Sequence, residues 1–198
     1  AGQILVPTYP LQGNYGTSHE GIESNQVQVT AFAVREHASD PSHYASEETL
    51  DAYLSRQGIP GIAGIDTRAL ARRIRAHGVM MGVVTMDTPD TALSRLRAQP
   101  AYDTVDFVER VVARDQYELA ITNGTRIAVV DCGVKNNILR ELEKRNCAVK
   151  VFPATASATD VLAWNPRGVL FSPGPGDPMH NQATVKAAQG LIGRLPIL

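Results

Sequence analysis

Gly168-Val169-Leu170-Phe171 is followed at once by the loop Ser172-Pro173-Gly174-Pro175-Gly176-Asp177-Pro178. The first four residues are apolar enough for a short buried strand. In the loop, prolines alternate with glycines, which makes a stiff turn where a ligand can approach the backbone. Open α/β sheets bind their ligands outside the carboxyl ends of their strands. The pattern therefore favours a ligand cradle or a rigid crossover after a buried strand, and the residues alone leave both possibilities open.

Short apolar runs alternate with amphipathic segments from residue 126 to residue 198. The predicted strands cover residues 126–130, 149–152, 168–171 and 196–198. Three helices are predicted. The first carries Ile138, Leu139 and Leu142 on one face, the second begins at a capping box of Ser157 and Asp160, and the third covers residues 182–192. This alternation is typical of a doubly wound parallel sheet. Four strands are few for such a domain, so we expect the sheet to be incomplete within the chain.

The first 120 residues predict a separate mixed α/β module. Apolar and polar residues alternate over residues 27–33, which indicates a half-buried strand, and residues 79–85 predict another. Helices are expected from Ser46 to Gly58, after Asp66, and after Thr88 with Pro89 as the first helical residue. The polar stretch around residues 121–125 is the predicted linker.

Composition excludes several classes of function. Nineteen basic and 20 acidic residues give a net charge of -1, so no electrostatic footprint for nucleic acid or an anionic membrane is expected. No apolar run approaches the length of a membrane span. The first residues do not resemble a signal peptide and include no initiator Met, so we expect the chain to begin inside a longer polypeptide. Two cysteines fit neither a disulfide framework nor a zinc site, which favours a reducing cytoplasm.

Cys132 is the candidate nucleophile, in the turn Asp131-Cys132-Gly133-Val134-Lys135 after the first predicted strand. Such a turn can aim backbone N–H groups at an anion, or it can simply be a polar-capped turn. A thiol near a helix N-terminus can be reactive, but no Gly-x-Cys-x-Gly elbow surrounds it, so a small buried residue is the favoured interpretation.

The other polar candidates are weaker. Asp66-Thr67-Arg68 is more simply a helix cap followed by a surface charge. The five histidines show no metal-ligand spacing, so no metal site is predicted. His180 lies near the proline–glycine loop and receives no role.

Taken together, the order of these segments resembles the small, glutamine-hydrolysing subunit of carbamoyl-phosphate synthase over nearly the full chain. The loop 172–178 is shared with class I glutamine amidotransferases in general. Lys135-Asn136-Asn137-Ile138-Leu139-Arg140 is more particular to the carbamoyl-phosphate branch. The first part is similar to that subunit's own N-terminal domain in residues 8–16 and 23–27 and in Gly64-Ile65-Asp66-Thr67-Arg68-Ala69-Leu70.

The resemblance implies an N-terminal small-subunit domain over residues 1–120, with its start missing, and a linker over 121–125. Residues 126–198 would form the first part of a class I amidotransferase domain. In this family, a Cys-His-Glu constellation hydrolyses glutamine, and the ammonia passes to a large subunit that uses ATP and bicarbonate, with Mg²⁺. The small subunit needs no cofactor of its own, and the pair forms a heterodimer.

For this chain, the resemblance implies that Gly174 and Gly176 bind glutamine and that the Gly174 N–H is one oxyanion donor. The catalytic Cys, His and Glu are expected beyond Leu198, so the chain alone is expected to be inactive. Two alternatives stay open. One is a subunit of another class I amidotransferase, such as the anthranilate-synthase type, which the N-terminal module disfavours. The other is a docking module without a nucleophile. Both arginine and pyrimidine biosynthesis fit the resemblance.

Overall fold

The computed structural model describes residues 1–119 and 123–198, which form two compact units, Ala1–Thr104 and Val105–Leu198. The strands are β1 (Ile4–Leu5), β2 (Leu11–Gln12), β3 (Ala31–Ala33), β4 (Glu36–His37), β5 (Gly61–Ile62), β6 (Tyr117–Glu118), β7 (Thr125–Asp131), β8 (Cys147–Pro153) and β9 (Gly168–Phe171). The α-helices are α1 (Leu50–Arg56), α2 (Thr67–His77), α3 (Pro89–Arg97), α4 (Asn136–Lys144), α5 (Ala158–Ala163) and α6 (Gln182–Leu191). None of the helices in these two ranges is long and apolar enough to cross a membrane.

The second unit contains a four-stranded sheet in the order β6-β8-β7-β9. Strand β7 lies parallel to both β8 and β9, so that Val129 pairs with Val151 on one side and with Leu170 on the other. Beyond β9, Ile197 forms a parallel bridge with Val169, which marks the beginning of the strand predicted at residues 196–198. The edge strand β6 runs antiparallel to β8 and was not predicted.

Helices cover both faces of this sheet, as the alternation of strands and helices predicts. On one face, Leu139 of α4 packs in a cluster with Val129, Val149 and Val151. On the other, α5 and α6 contribute to a second cluster; its fully buried members include Ala128, Val130, Val161 and Leu191. The doubly wound α/β fold is therefore confirmed. Burial of both faces explains why the central strand reads as a continuous apolar run.

The second unit begins earlier in the chain than the predicted linker. The 3₁₀ turn Val108–Arg110 and β6 both precede that linker, and Val108 packs in the cluster beneath α5 and α6. Residues 121 and 122 of the predicted linker lie outside the described residues. The division into two family domains at residues 121–125 stays a prediction.

The first unit contains two small parallel sheets, β1-β3-β5 and β2-β4, together with α1, α2 and α3. Two predicted helix starts are confirmed. The Asp66 carboxylate caps α2 by accepting the Ala69 N–H at 2.9 Å, and Pro89 is the first residue of α3. At both positions, a residue type that favours the start of a helix, a capping aspartate or a first-turn proline, marks where the helix begins.

In the first unit, two predicted elements are shorter than expected and a third is absent. The strand expected over residues 27–33 is confined to β3, because its start is held by a bond from the Val27 N–H to the Gln57 side chain. The helix expected from Ser46 begins at Leu50 and is capped by Thr49, since Glu47 and Glu48 are bonded to the Thr17 backbone. Residues 79–85 form no strand, and within the described chain no other strand is hydrogen-bonded to them.

Candidate functional site

A cavity of about 500 Å³ lies beside the loop 172–178, at the carboxyl end of β9. The loop itself, Val108, Cys132, and Asn181 and Thr184 near the start of α6 are among the residues that line it. Most of the lining is apolar, with a few polar groups. Cavities of this kind are typical small-molecule sites.

Ser172 anchors the loop to the neighbouring strand β7. Its N–H donates to the Val130 carbonyl at 3.0 Å, and its hydroxyl accepts the Cys132 N–H at 2.9 Å. The same hydroxyl lies 3.1 Å from the Pro173 carbonyl, to which it donates. The Ser172 side chain is buried, so these bonds stabilise the exit of the chain from the sheet.

Gly174 lies directly against the backbone of Cys132. A Cβ at Gly174 would overlap the Cys132 carbonyl oxygen and would lie 3.0 Å from its carbonyl carbon, so only glycine fits here. The Gly174 N–H donates to no acceptor among the described residues. Gly176 has a φ of 83°, a backbone conformation in which glycine carries no steric penalty.

Asp131 is a buried carboxylate at the end of β7. Its Oδ1 accepts the N–H groups of Gly133 and Val134, each at 2.8 Å, and its Oδ2 accepts the Ala113 N–H at 2.8 Å. The turn before α4 is therefore organised by this side chain. The polar-capped turn considered in the sequence is present, with the cap supplied by Asp131 rather than by a residue beside the helix.

The Cys132 thiol lies in a polar corner of the cavity, 3.7 Å from the Asn181 amide nitrogen and 3.8 Å from the Thr184 hydroxyl. Burial raises the pKa of this thiol, and the negative charge of Asp131 raises it further, while the bonds from Thr184 and Asn181 oppose the shift. The thiol is therefore protonated at neutral pH. Among the described residues, no histidine or carboxylate lines the cavity. Cys132 thus lacks the partner base that an activated thiol requires.

Comparison with known families accounts for both parts of the chain. The family model for "Carbamoyl-phosphate synthase small chain, CPSase domain" matches residues 1–84. The model for "Glutamine amidotransferase class-I" matches residues 128–198, which hold the cavity and its loop.

Curated relatives match over the whole chain. The "Carbamoyl phosphate synthase small chain" of Methanopyrus kandleri is 44% identical, over 100% of this chain and 56% of that protein. That of Bacillus caldolyticus is 43% identical, over 99% of this chain and 54% of its own length. The chain belongs to the carbamoyl phosphate synthase small-chain family.

A further relative within this family carries a narrower name. It is the "Carbamoyl phosphate synthase pyrimidine-specific small chain" of Halalkalibacterium halodurans, 42% identical over 99% of this chain and 54% of that protein. The chain spans about half the length of the small chains that it matches.

The structure brings together only some of the residues that the sequence singled out. Gly174, Gly176 and Cys132 meet at the cavity. His180 is exposed in the 3₁₀ turn Pro178–His180 and does not line it. Asp66 lies in the other unit, as the cap of α2. In the described ranges, no three His, Cys, Asp or Glu residues could hold a metal ion together.

Sequence reasoning missed the roles of Asp131, Asn181 and Thr184. Asp131 carried a usable signal, because an aspartate at the end of a buried strand with a glycine two residues later is typical of a side-chain-capped turn. Asn181 also carried one, since it precedes α6 and its Oδ1 accepts the Thr184 N–H at 3.4 Å. That these side chains meet at Cys132 depends on tertiary structure and has no local signal.

Proposed function

We propose that this chain forms one wall of a glutamine-hydrolysing site in a carbamoyl phosphate synthase small chain. The ammonia released there is delivered to a large subunit that uses ATP, Mg²⁺ and bicarbonate to make carbamoyl phosphate. The observation that carries the proposal is the Gly174 N–H, which has no acceptor among the described residues and belongs to a cavity at the carboxyl end of the sheet. Membership of the family supports glutamine as the substrate.

Hydrolysis of an amide passes through a tetrahedral intermediate in which the carbonyl oxygen becomes negative. A fixed backbone N–H beside that oxygen stabilises the charge without reorganisation during the reaction. Gly174 suits this role because no side chain shields its backbone, and Ser172 and Cys132 hold the loop from behind. Gly176 would contact the same substrate through the next turn of the loop.

The nucleophile is proposed to lie outside these 198 residues. Burial keeps the Cys132 thiol protonated, and no base beside it is available within the described residues to remove the proton. The attacking thiolate of an amidotransferase needs both a lowered pKa or an adjacent base and access to the substrate carbon. Cys132 is therefore assigned to the wall of the cavity, and the isolated chain is predicted to be inactive as a glutaminase.

The small-chain match over residues 1–84 favours this function over an anthranilate-synthase type of amidotransferase. This match does not distinguish a glutaminase from a docking module, whereas a measurement of glutamate release does. Both cysteines are free thiols, which supports the proposed cytoplasmic location.

The test measures glutamate release from glutamine by two proteins, this chain and the complete product of its reading frame. We expect no turnover by the chain and clear turnover by the complete product. In the complete product, Gly174→Ala keeps the N–H but displaces it, because the new Cβ would clash with the Cys132 carbonyl. The substitution should therefore lower kcat by about 10²- to 10³-fold, as the loss of an oxyanion donor does. Cys132→Ser should retain activity.

Gly168→Ala is the matched control, because a Cβ at Gly168 would meet only ordinary contacts, the nearest at 3.6 Å from the Pro196 carbonyl. Turnover by the isolated chain, or loss of all activity in Cys132→Ser, would overturn the assignment of Cys132. A complete product that binds a large ATP-using subunit but never releases glutamate would support the docking module instead.

A further inference from the structure

We infer that Asp131 and Ser172 are positioning residues that hold the Gly174 N–H where the oxyanion forms. The inference rests on the proposed glutaminase function and deepens it. Asp131 does not line the cavity, and the Ser172 hydroxyl is already bonded to Cys132 and Pro173, so neither side chain is assigned a contact with the substrate. Both are buried, with 4% and 7% of their surface exposed. Their effect on Gly174 runs through the backbone of Cys132 and Gly133.

Asp131 fixes the shape of the turn that Gly174 touches. Its Oδ1 accepts two successive N–H groups, those of Gly133 and Val134, which curls the backbone immediately after β7. Its Oδ2 accepts the Ala113 N–H and so joins the same turn to the segment that precedes β6. Three bonds from three different residues leave the carboxylate a single orientation, because any rotation would leave a partly buried N–H without its acceptor.

The curled turn presses against the proline–glycine loop at two points. The Cys132 carbonyl occupies the space where a side chain at Gly174 would otherwise be. Gly133, at a φ of 129°, is so close to the loop that a Cβ there would lie 3.3 Å from the Gly174 Cα and 3.3 Å from the Pro175 Cδ. The position of Gly174 is therefore set by the position of the backbone that Asp131 holds.

Ser172 closes the same contact from the side of the loop. Its hydroxyl accepts the Cys132 N–H at 2.9 Å, so the residue whose carbonyl touches Gly174 is hydrogen-bonded to Ser172, two positions before Gly174. The backbone of Ser172 donates to Val130 at 3.0 Å and keeps the loop in register with β7. Asp131 and Ser172 thus hold opposite sides of one contact.

Oxyanion stabilisation is sensitive to such a contact. Catalytic groups must be held within about 0.5 Å of their productive position, and a misplacement of about 1 Å can cost on the order of 10²-fold in rate. A loop that moves by this amount would still close the cavity and bind the substrate. Loss of positioning should therefore lower kcat and leave KM for glutamine nearly unchanged.

The experiment compares Asp131→Asn, Ser172→Ala and Val161→Ala in the complete product bound to its large subunit. In Asp131→Asn, the amide can still accept from Gly133 and Val134, but its NH₂ faces the Ala113 N–H, and that bond is lost. We expect glutamine-dependent kcat to fall about 10- to 100-fold, with KM for glutamine within roughly threefold of the original protein. Ammonia-dependent synthesis, which bypasses the site, should not change. Ser172→Ala should show the same pattern.

Val161→Ala is the control for lost stability. Val161 is fully buried in the cluster beneath α5 and α6, and its side chain makes none of the hydrogen bonds that hold the loop. A loss of kcat in Asp131→Asn and Ser172→Ala no greater than in Val161→Ala would overturn the inference, as would a rise in KM alone. Failure of both variants to fold would assign the two residues a purely structural role and would also overturn it. If the unaltered complete product does not hydrolyse glutamine, the proposed function itself is wrong.

Discussion

The close approach of Gly174 to Cys132 makes a quantitative prediction for the substitution Gly174→Ala. The new Cβ would lie well inside 3.0 Å of the Cys132 carbonyl oxygen, and it would lie 3.0 Å from the carbonyl carbon and 3.1 Å from the Cys132 Cβ. Real Cβ atoms essentially never come so close, so one loop must move. The neighbour is backbone held by Ser172, which offers no flexible side chain to rotate away. We expect a cost in the free energy of unfolding of about 1–3 kcal/mol, typical of forced overpacking.

Chemical denaturation of this chain measures that cost directly, with the signal of the second unit followed by Trp164 fluorescence. Gly168→Ala is again the matched control, because its Cβ meets nothing closer than 3.6 Å. At such a site, the substitution should stabilise the unit by up to about 1 kcal/mol or leave it unchanged, since alanine restricts the unfolded chain. Equal midpoints for Gly174→Ala and Gly168→Ala would refute the packing argument, and so would a stable Gly174→Val.

Three further predictions concern other parts of the chain. Because burial raises the pKa of the Cys132 thiol, iodoacetamide at pH 8 should alkylate Cys132 more slowly than Cys147. Mass spectrometry of the peptides measures both rates, and equal rates would show that the Cys132 thiol is accessible and ionised. Hydrogen bonds from Lys144, the last residue of α4, and from Arg145, which follows it, lower the pKa of Glu141 to about 2. Its stabilising contribution is therefore complete above the unfolded pKa and is lost as pH falls through about 2. Side-chain NMR should find the carboxylate ionised at pH 3, and a midpoint near 4 would contradict this. Asp66→Ala removes the cap of α2 and should cost about 1 kcal/mol in thermal or chemical unfolding, whereas Asp66→Asn should cost much less.

The second unit could be predicted largely from its sequence, and the reason is local. The central strand is buried on both faces, so its residues form a continuous apolar run that is easy to recognise. Helix α5 begins at a capping box in which Ser157 and Asp160 bond each other's backbone N–H groups, and both partners are visible in the sequence. Elements whose boundaries depend on residues that are close together in the sequence can be predicted.

The first unit was less predictable because its strands are very short and pair over long distances. Strand β3 lies between β1 and β5, each of only two residues, and parallel pairing has no turn that marks it in the sequence. Residues 79–85 have the composition of a strand, yet no neighbouring strand in the described chain is hydrogen-bonded to them, and Val79 is 71% exposed. β propensity describes a side chain's fit to a pleated surface, and it does not supply the neighbouring strand.

Gly174 shows why the sequence could not decide between a rigid crossover and a ligand cradle. Its lack of a side chain is explained by the Cys132 carbonyl alone, so the glycine would be needed here even if no ligand ever bound. The presence of glycine is therefore weak evidence for a site. The hydrogen-bond inventory is stronger evidence, because the Gly174 N–H has no acceptor within the described residues although the neighbouring Ser172 and Cys132 N–H groups are both satisfied. A loop built only for rigidity has no reason to leave a donor open beside a cavity, whereas a loop that receives an oxyanion requires one.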